Sequence, residues 1–287
     1  MDLNTSYPHF GINILNEHMS KKRVLFISQE MKPYTTLSEI SDMVHALAPY
    51  SYNKGYEVRV LMPKFGTINE RRHRLHEVVR LSGMNIIVDD DDFPLIIKVA
   101  SLPGSRMQVY FLDNEEFFKR KLIFDDADEK PFDDNAERMI FFCKGAMETV
   151  KKFGWPPDII HCHGWMSSLV PAYFQKIYKD SPIFENSKII YSPYDSSYED
   201  TFDKSFIEKA CINDIEEEDL SAYIENGKIR LNEGALQHVD GIMPGQASLK
   251  DSIQDAIAAS PAPLQEFIEG EEYLAEALNF YSSLIEE

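Results

Sequence analysis

Positive charge is scarce in this sequence: 29 Lys and Arg stand against 48 Asp and Glu over 287 residues, a formal net charge of −19. A surface of that sign repels polyanions and offers no basic stripe to track phosphates, which excludes nucleic acid and anionic membrane as expected partners. Cysteine is scarcer still. The three present, Cys143, Cys162 and Cys211, have no paired spacing, and such sparing use of thiols suits a reducing compartment, so the expected location is cytoplasmic. The opening residues lack a basic segment followed by an apolar one, so no secretory leader is read. No apolar run is long enough to span a bilayer, and no internal repeat is visible.

What is present is a core-forming chain. With 44% hydrophobic residues it can bury one large interior or two small ones. Arg23 to Ser28 (RVLFIS) is a nearly continuous apolar run, the signature of a strand buried on both faces of a parallel sheet. A helix is expected from about Ser38 to Tyr52, with Met43, Val44 and Leu47 on one face and Gly55 at its end. Glu57 to Met62 (EVRVLM) is the next strand, and strand, helix, strand is the unit of a doubly wound fold. Val78 to Val88 and Phe93 to Ala100 alternate in polarity around Asp89 to Asp92, which predicts an antiparallel hairpin with an acidic turn. Gln108 to Leu112 returns to the sheet. Asp134 to Phe153 reads as a long packed helix, Asp158 to His161 as a buried strand, Trp165 to Tyr178 as a helix and Lys188 to Tyr191 as a strand. Asp203 to Asn232 is expected to be an insertion of short helices. Gly241 to Met243 closes the parallel series, and Leu264 to Ile285 is read as a final amphipathic helix or pair. The predicted fold class is therefore α/β, a single Rossmann-like, mostly parallel sheet carrying an antiparallel hairpin insertion. Its parts are an arm at 1–21, a domain at 22–260 and a helical strap at 261–287. Residues 1 to 18 are either a loosely held arm or precede the native start, since Met19-Ser20-Lys21-Lys22-Arg23 looks like a fresh beginning.

Ligands of open α/β sheets bind at the carboxyl ends of the strands, so chemistry is sought in the loops after Ser28, Met62, Leu112, His161 and Tyr191. His161-Cys162-His163-Gly164-Trp165 stands out. Two residues apart in extended chain, His161 and His163 face the same way, and they are either donors to a ligand or hydrogen-bonded structural rings. Further metal ligands are not found near them, and no metal site is expected. Asp134, with Asn135 and Arg138 following, opens the long helix, where Asp134 serves as an N-cap or reaches a ligand hydroxyl. The loop Glu30 to Glu39 has no glycine. A phosphate cradle needs the close backbone approach and positive φ that glycine supplies, so this loop is a poor one.

Taken in order, RVLFISQEMKPY with ISDMVHAL and KGYEVRVLMPKF, then DNEEFFKR with PFDDNAERMIFFCKGAMETV, then PPDIIHCHGWMSSLVPAYF, resemble the N-terminal domain of the glycogen and starch synthase family, the ADP-glucose type. The likeness runs from Lys22 to about Gly245. It implies one half of a two-Rossmann GT-B glycosyltransferase, with no cofactor. In that family a Lys-Thr-Gly-Gly element approaches the donor phosphates; the matching places here hold Thr36, Leu37, Ser38 and Glu39. The family's HxHDW element is kept as His161, His163 and Trp165, with Gly164 in place of the aspartate, and its His-Asn pair corresponds to Tyr194-Asp195. Carried over residue by residue, the candidate ligand-binding positions are Thr36, Ser38, Asn135, Arg138, Trp165, Tyr194 and Asp195. His161, His163 and Asp134 are the candidates for any remaining catalysis. Nothing after Met243 is long enough to form the family's second domain, and EEYLAEALNFYSSLIEE resembles its returning terminal helix. A natural single-domain protein is therefore expected. Three readings stay open: a non-catalytic descendant that binds a sugar, an α-glucan or a protein partner; an active glucosyltransferase completed by another chain; and a different reaction on the same scaffold. A former interdomain face would also permit self-association.

Overall fold

The structure is a computed structural model that describes residues 21–286; the N-terminal arm expectation lies outside the described residues apart from Lys21. Along the chain run β1 (Arg23–Ser28), α1 (Ile40–Asn53), β2 (Glu57–Pro63), α2 (Glu70–His73), β3 (His76–Glu77), β4 (Met84–Val88), β5 (Asp91–Ser101) and β6 (Gln108–Asp113). They are followed by α3 (Glu115–Phe118), α4 (Asn135–Phe153), β7 (Ile159–His163), α5 (Val170–Tyr173), β8 (Lys188–Ser192) and α6 (Ser205–Ala210). A small pair, β9 (Ile224–Glu225) and β10 (Lys228–Ile229), precedes α7 (Leu231–Leu236), β11 (Gly241–Ile242), α8 (Asp251–Ala259) and α9 (Glu271–Glu286).

The apolar run of β1 sits at the middle of the sheet with Val24, Leu25, Phe26 and Ile27 fully buried, as the absence of any polar face requires. The sheet order is β11-β8-β7-β1-β2-β6-β5-β3, with β4 paired to β5. Pairings from β11 to β6 are parallel, and those of β3, β4 and β6 with β5 are antiparallel. This is the α/β, mostly parallel sheet with an antiparallel hairpin. The chain winds outward from β1 in both directions, which places the topological switch point between β1 and β7. The helix α1 packs along β1 and β2 and touches α9, while α4 packs on the hairpin side. The last helix buries Tyr273, Ala277, Phe280, Tyr281 and Leu284, a stripe at helical spacing.

Several elements differ from the sequence expectation. The strand expected from Val78 begins only at Met84, the insertion expected to be short helices also holds the β9–β10 pair, and α2, β3 and α3 have no counterpart in the sequence reading. The acidic turn is narrower, because Asp91 and Asp92 join β5 opposite Val88 and Ile87. The stretch Trp165 to Tyr178 is not one regular helix: a 3-10 turn at Trp165–Ser167, α5, and a π turn at Phe174–Tyr178 follow one another. Pro171 explains the break, since it has no N–H to continue a helical ladder begun before it. The helix α8 has no counterpart in the sequence reading, and Leu264 bridges to Ile242 instead of starting the last helix. Among the described residues, no helix is long and apolar enough to cross a membrane.

Candidate functional site

The carboxyl ends of β1, β7 and β8 open onto a crevice of about 530 Å³. Its position follows from topology, since the loops leaving adjacent strands diverge at the switch point. Gln29, Glu30 and residues 37–39 come from the loop after β1, Ile40 from the start of α1, Trp165 from the loop after β7, and residues 194–198 from the loop after β8. A fourth wall, residues 121–126, comes from the segment between α3 and α4.

Aromatic rings form its floor. Trp165 packs at 5.1 Å and 30° on Tyr198, and Phe124 stands edge-on to Trp165 at 5.0 Å. Tyr198 donates to Asp125 at 2.7 Å; burial pushes its phenol up, as does that carboxylate. Leu37 and Leu122 are exposed apolar residues of the lining. Around this floor stand Glu30, Glu39, Asp125, Asp126 and Asp195, five carboxylates against the single ammonium of Lys121. That ammonium donates to the Gly66 carbonyl. Glu30 is fully buried, and its carboxylate accepts from the Leu37 and Ser38 amides, the latter at 3.0 Å, and from Ser38 Oγ at 2.6 Å. Desolvation nonetheless raises its pKa. The Leu37 and Ser38 amides, just before α1, are thus already engaged by an internal carboxylate.

The candidates from sequence divide. Ser38, Trp165, Tyr194 and Asp195 line the crevice together. Asp195 is held there by its Oδ1, which accepts from the Lys250 amide at 2.9 Å, and by its own amide, which donates to Gln246 Oε1 at 3.0 Å. Thr36 is exposed on the same loop but outside the lining. Asp134 occupies the N-cap position of α4, yet its carboxylate pairs with Arg120 and makes no capping hydrogen bond; its backbone lies outside the extended conformation that aims a cap. Asn135 and Arg138 are buried. Arg138 donates to the Phe117 carbonyl at 2.8 Å and to Asn135 Oδ1 at 2.7 Å, and burial lowers its pKa to about 10. This guanidinium ties the crevice's fourth wall to α4.

His161 and His163 do share a face, with ring centroids 4.0 Å apart, but both are fully buried beneath the crevice. Both nitrogens of His161 are engaged, Nδ1 with the Tyr281 hydroxyl at 2.7 Å and Nε2 with Ser192 Oγ at 2.8 Å. His163 Nδ1 lies 3.2 Å from the Tyr194 hydroxyl, and its Nε2 has no partner. Burial drives His161 well below the ordinary histidine value, with the neighbouring His163 adding to it, and lowers His163 to about 3.

Glu30, Lys121, Phe124, Asp125 and Tyr198 were not singled out from sequence. The sequence places the loop after β6 at the crevice, but its wall-forming residues lie beyond α3, and nothing in their spacing shows that return. Gly66 holds this wall close: a Cβ there would fall 2.1 Å from the Lys119 carbonyl oxygen and 2.3 Å from that of Arg120. Both are backbone atoms, so Gly66→Ala must move the segment bodily. The expected loss is roughly 3 kcal/mol, the upper range for overpacking, read as a lower urea midpoint at unchanged slope. An unaltered midpoint would show that the wall yields freely.

A protein-family model described as starch synthase catalytic domain matches residues 23–261. Glycogen synthase of Chlorobium luteolum is 40% identical over 169 residues, 58% of this chain and 35% of that protein. Glycogen synthase of Chlorobium phaeobacteroides is 32% identical over 241 residues, 81% of this chain and 47% of that protein. In fold, the chain matches the catalytic domain of starch synthase IV from Arabidopsis thaliana bound to ADP and acarbose. The TM-score is 0.66 at 19% identity, over 92% of this chain and 50% of that one. The chain thus spans half or less of the length of the relatives it matches.

Proposed function

The chain belongs to the starch synthase catalytic domain family, and on that premise we propose that its crevice binds a neutral sugar or short α-glucan and does not itself hold the diphosphate of a nucleotide sugar. The observation that carries this reading is the charge of the lining, five carboxylates to one lysine already bonded to a backbone carbonyl. A diphosphate needs preorganised positive charge and free amides. Here the Leu37 and Ser38 amides are taken by Glu30. A pyranose presents an apolar face and a rim of hydroxyls, which suits an aromatic floor bordered by carboxylate acceptors. Members of the family named as glycogen synthases make the α-glucan class the natural candidate. In this reading the domain is a catalytically degenerate glucan binder.

Calorimetry with maltoheptaose, ADP and ADP-glucose tests it. Maltoheptaose is expected to bind with an affinity insensitive to salt, because a neutral ligand has no charge to screen. Tyr198→Ala, which removes the half-exposed ring of the floor, should weaken binding about tenfold, equivalent to about 1.4 kcal/mol. Tighter binding of ADP-glucose or ADP than of the glucan would overturn the reading.

A further inference from the structure

Beside the Trp165 and Tyr198 floor, one further aromatic ring stands between the crevice and the buried His163. Tyr194 lines the crevice while only 2% exposed, and its two sides are closely fitted. On one side its hydroxyl meets His163 Nδ1 at 3.2 Å. On the other the ring lies against Gly245, where a Cβ would fall 1.9 Å from Tyr194 Cζ and 2.3 Å from its hydroxyl oxygen. Glycine at 245 is therefore the complement of this ring. The tyrosine backbone is fixed as well, its carbonyl accepting from Asn232 Nδ2 at 3.2 Å. Behind the ring His163 has no exposure and an unpartnered Nε2, an unsatisfied polar atom that a sealed interior normally avoids.

We propose that Tyr194 is the specificity-determining plug of the crevice: its ring fills a ring-sized chamber whose polar wall is His163, and so confines ligands to the outer space beside Trp165 and Tyr198. The plug sets the depth of the site whether or not the outer crevice takes a glucan, and the ligand class shut out is any hydroxyl-bearing ring long enough to reach the imidazole. The tyrosine is itself such a ring, a phenol hydrogen-bonded to His163.

Access to His163 is the readout, measured by acylation of histidines with diethyl pyrocarbonate and peptide mass spectrometry on the full chain. In the wild type, the exposed His45 and His76 should react and His161 and His163 should not. In Tyr194→Ala, His163 should react at least about tenfold faster because its cover is gone, rather than through rare opening of the fold. His161, held under Tyr281 and Ser192, should stay protected. Tyr194→Phe keeps the ring and should leave His163 slow. Phenol at millimolar concentration should slow His163 again and raise the melting temperature of Tyr194→Ala alone, as a ligand of the native state does. Equal protection of His163 in a folded Tyr194→Ala overturns the proposal, as does acceleration of His161 together with His163, or reaction of Tyr194→Phe as fast as the alanine variant. If Tyr194→Ala does not fold, Tyr194→Leu is read against the same outcomes. No glucan enters these measurements, so failure of glucan binding and failure of the plug are separate results.

Discussion

Acid is expected to unfold this protein by charging the two buried histidines. Their folded pKa values are depressed, His163 to about 3 and His161 in the same direction, because the interior disfavours the imidazolium. The unfolded chain takes up these protons near the ordinary histidine value of about 6.5. Between that value and the folded one, the unfolded state binds more protons, so stability falls as the pH falls through this window. For His163 alone the loss between neutral pH and pH 4 is roughly 3 kcal/mol, at about 1.4 kcal/mol for each pKa unit. With rings 4.0 Å apart, charging one further opposes charging the other. Opposing contributions run the other way. Glu30 and Glu199 have pKa values raised chiefly by burial, so in the folded state they bind protons more readily and stabilise it as the pH falls. Urea midpoints from pH 7 to pH 4 measure the sum, and His163→Gln isolates one group: its stability should depend on pH with about one proton less in the slope. A His163→Gln variant whose midpoints follow the same pH dependence as the wild type would sink the assignment.

Gly164→Asp, which restores the residue of the family's HxHDW pattern, is expected to damage the fold rather than repair a site. Gly164 has φ 75° and ψ 173°, a conformation essentially closed to residues with a Cβ. An added Cβ would also lie 2.5 Å from Ile40 Cδ1 and 3.2 Å from Gln29 Oε1. Strain of about 1–3 kcal/mol for the backbone, plus overpacking of a similar size, gives an expected loss of roughly 2–5 kcal/mol. Ile40 begins α1 and Gln29 Oε1 accepts from the Met166 amide at 3.3 Å, so relief at 164 must disturb the junction of the first and second crevice loops. Denaturation of Gly164→Asp beside Gly164→Ala separates the cost of the Cβ, which both variants carry, from that of the carboxylate, which only one carries. Wild-type stability for either variant would mean that the turn is free to take another conformation.

The parts of the fold legible in the sequence were those whose signal is local. The β1 run announced a central strand because every side chain in it had to be covered, and the long α4 was legible because its apolar spacing persists over nineteen residues. The segment from Trp165 to Tyr178 was misread as one helix because apolar periodicity alone does not weigh Pro171 or the glycine turn before it. At the candidate site, Trp165, Tyr194 and Asp195, in the loops after β7 and β8, line one crevice. The histidines beside them could not be placed the same way. The fate of His161 is set by Tyr281, 120 residues away, and that of His163 by Tyr194, 31 residues away.

By itself, then, the order of apolar runs determined a mostly parallel sheet, and the sheet determined that the crevice opens at the carboxyl ends of β1, β7 and β8. Composition determined that whatever enters meets an acidic molecule. Only the tertiary structure decided which side chains the crevice contains. Exposure depends on what distant segments come to lie above a residue. The last helix, packing its aromatic stripe onto the sheet, takes His161 into the interior, while the return of the chain after α3 brings Phe124 and Asp125 up to Trp165 and Tyr198 as a wall.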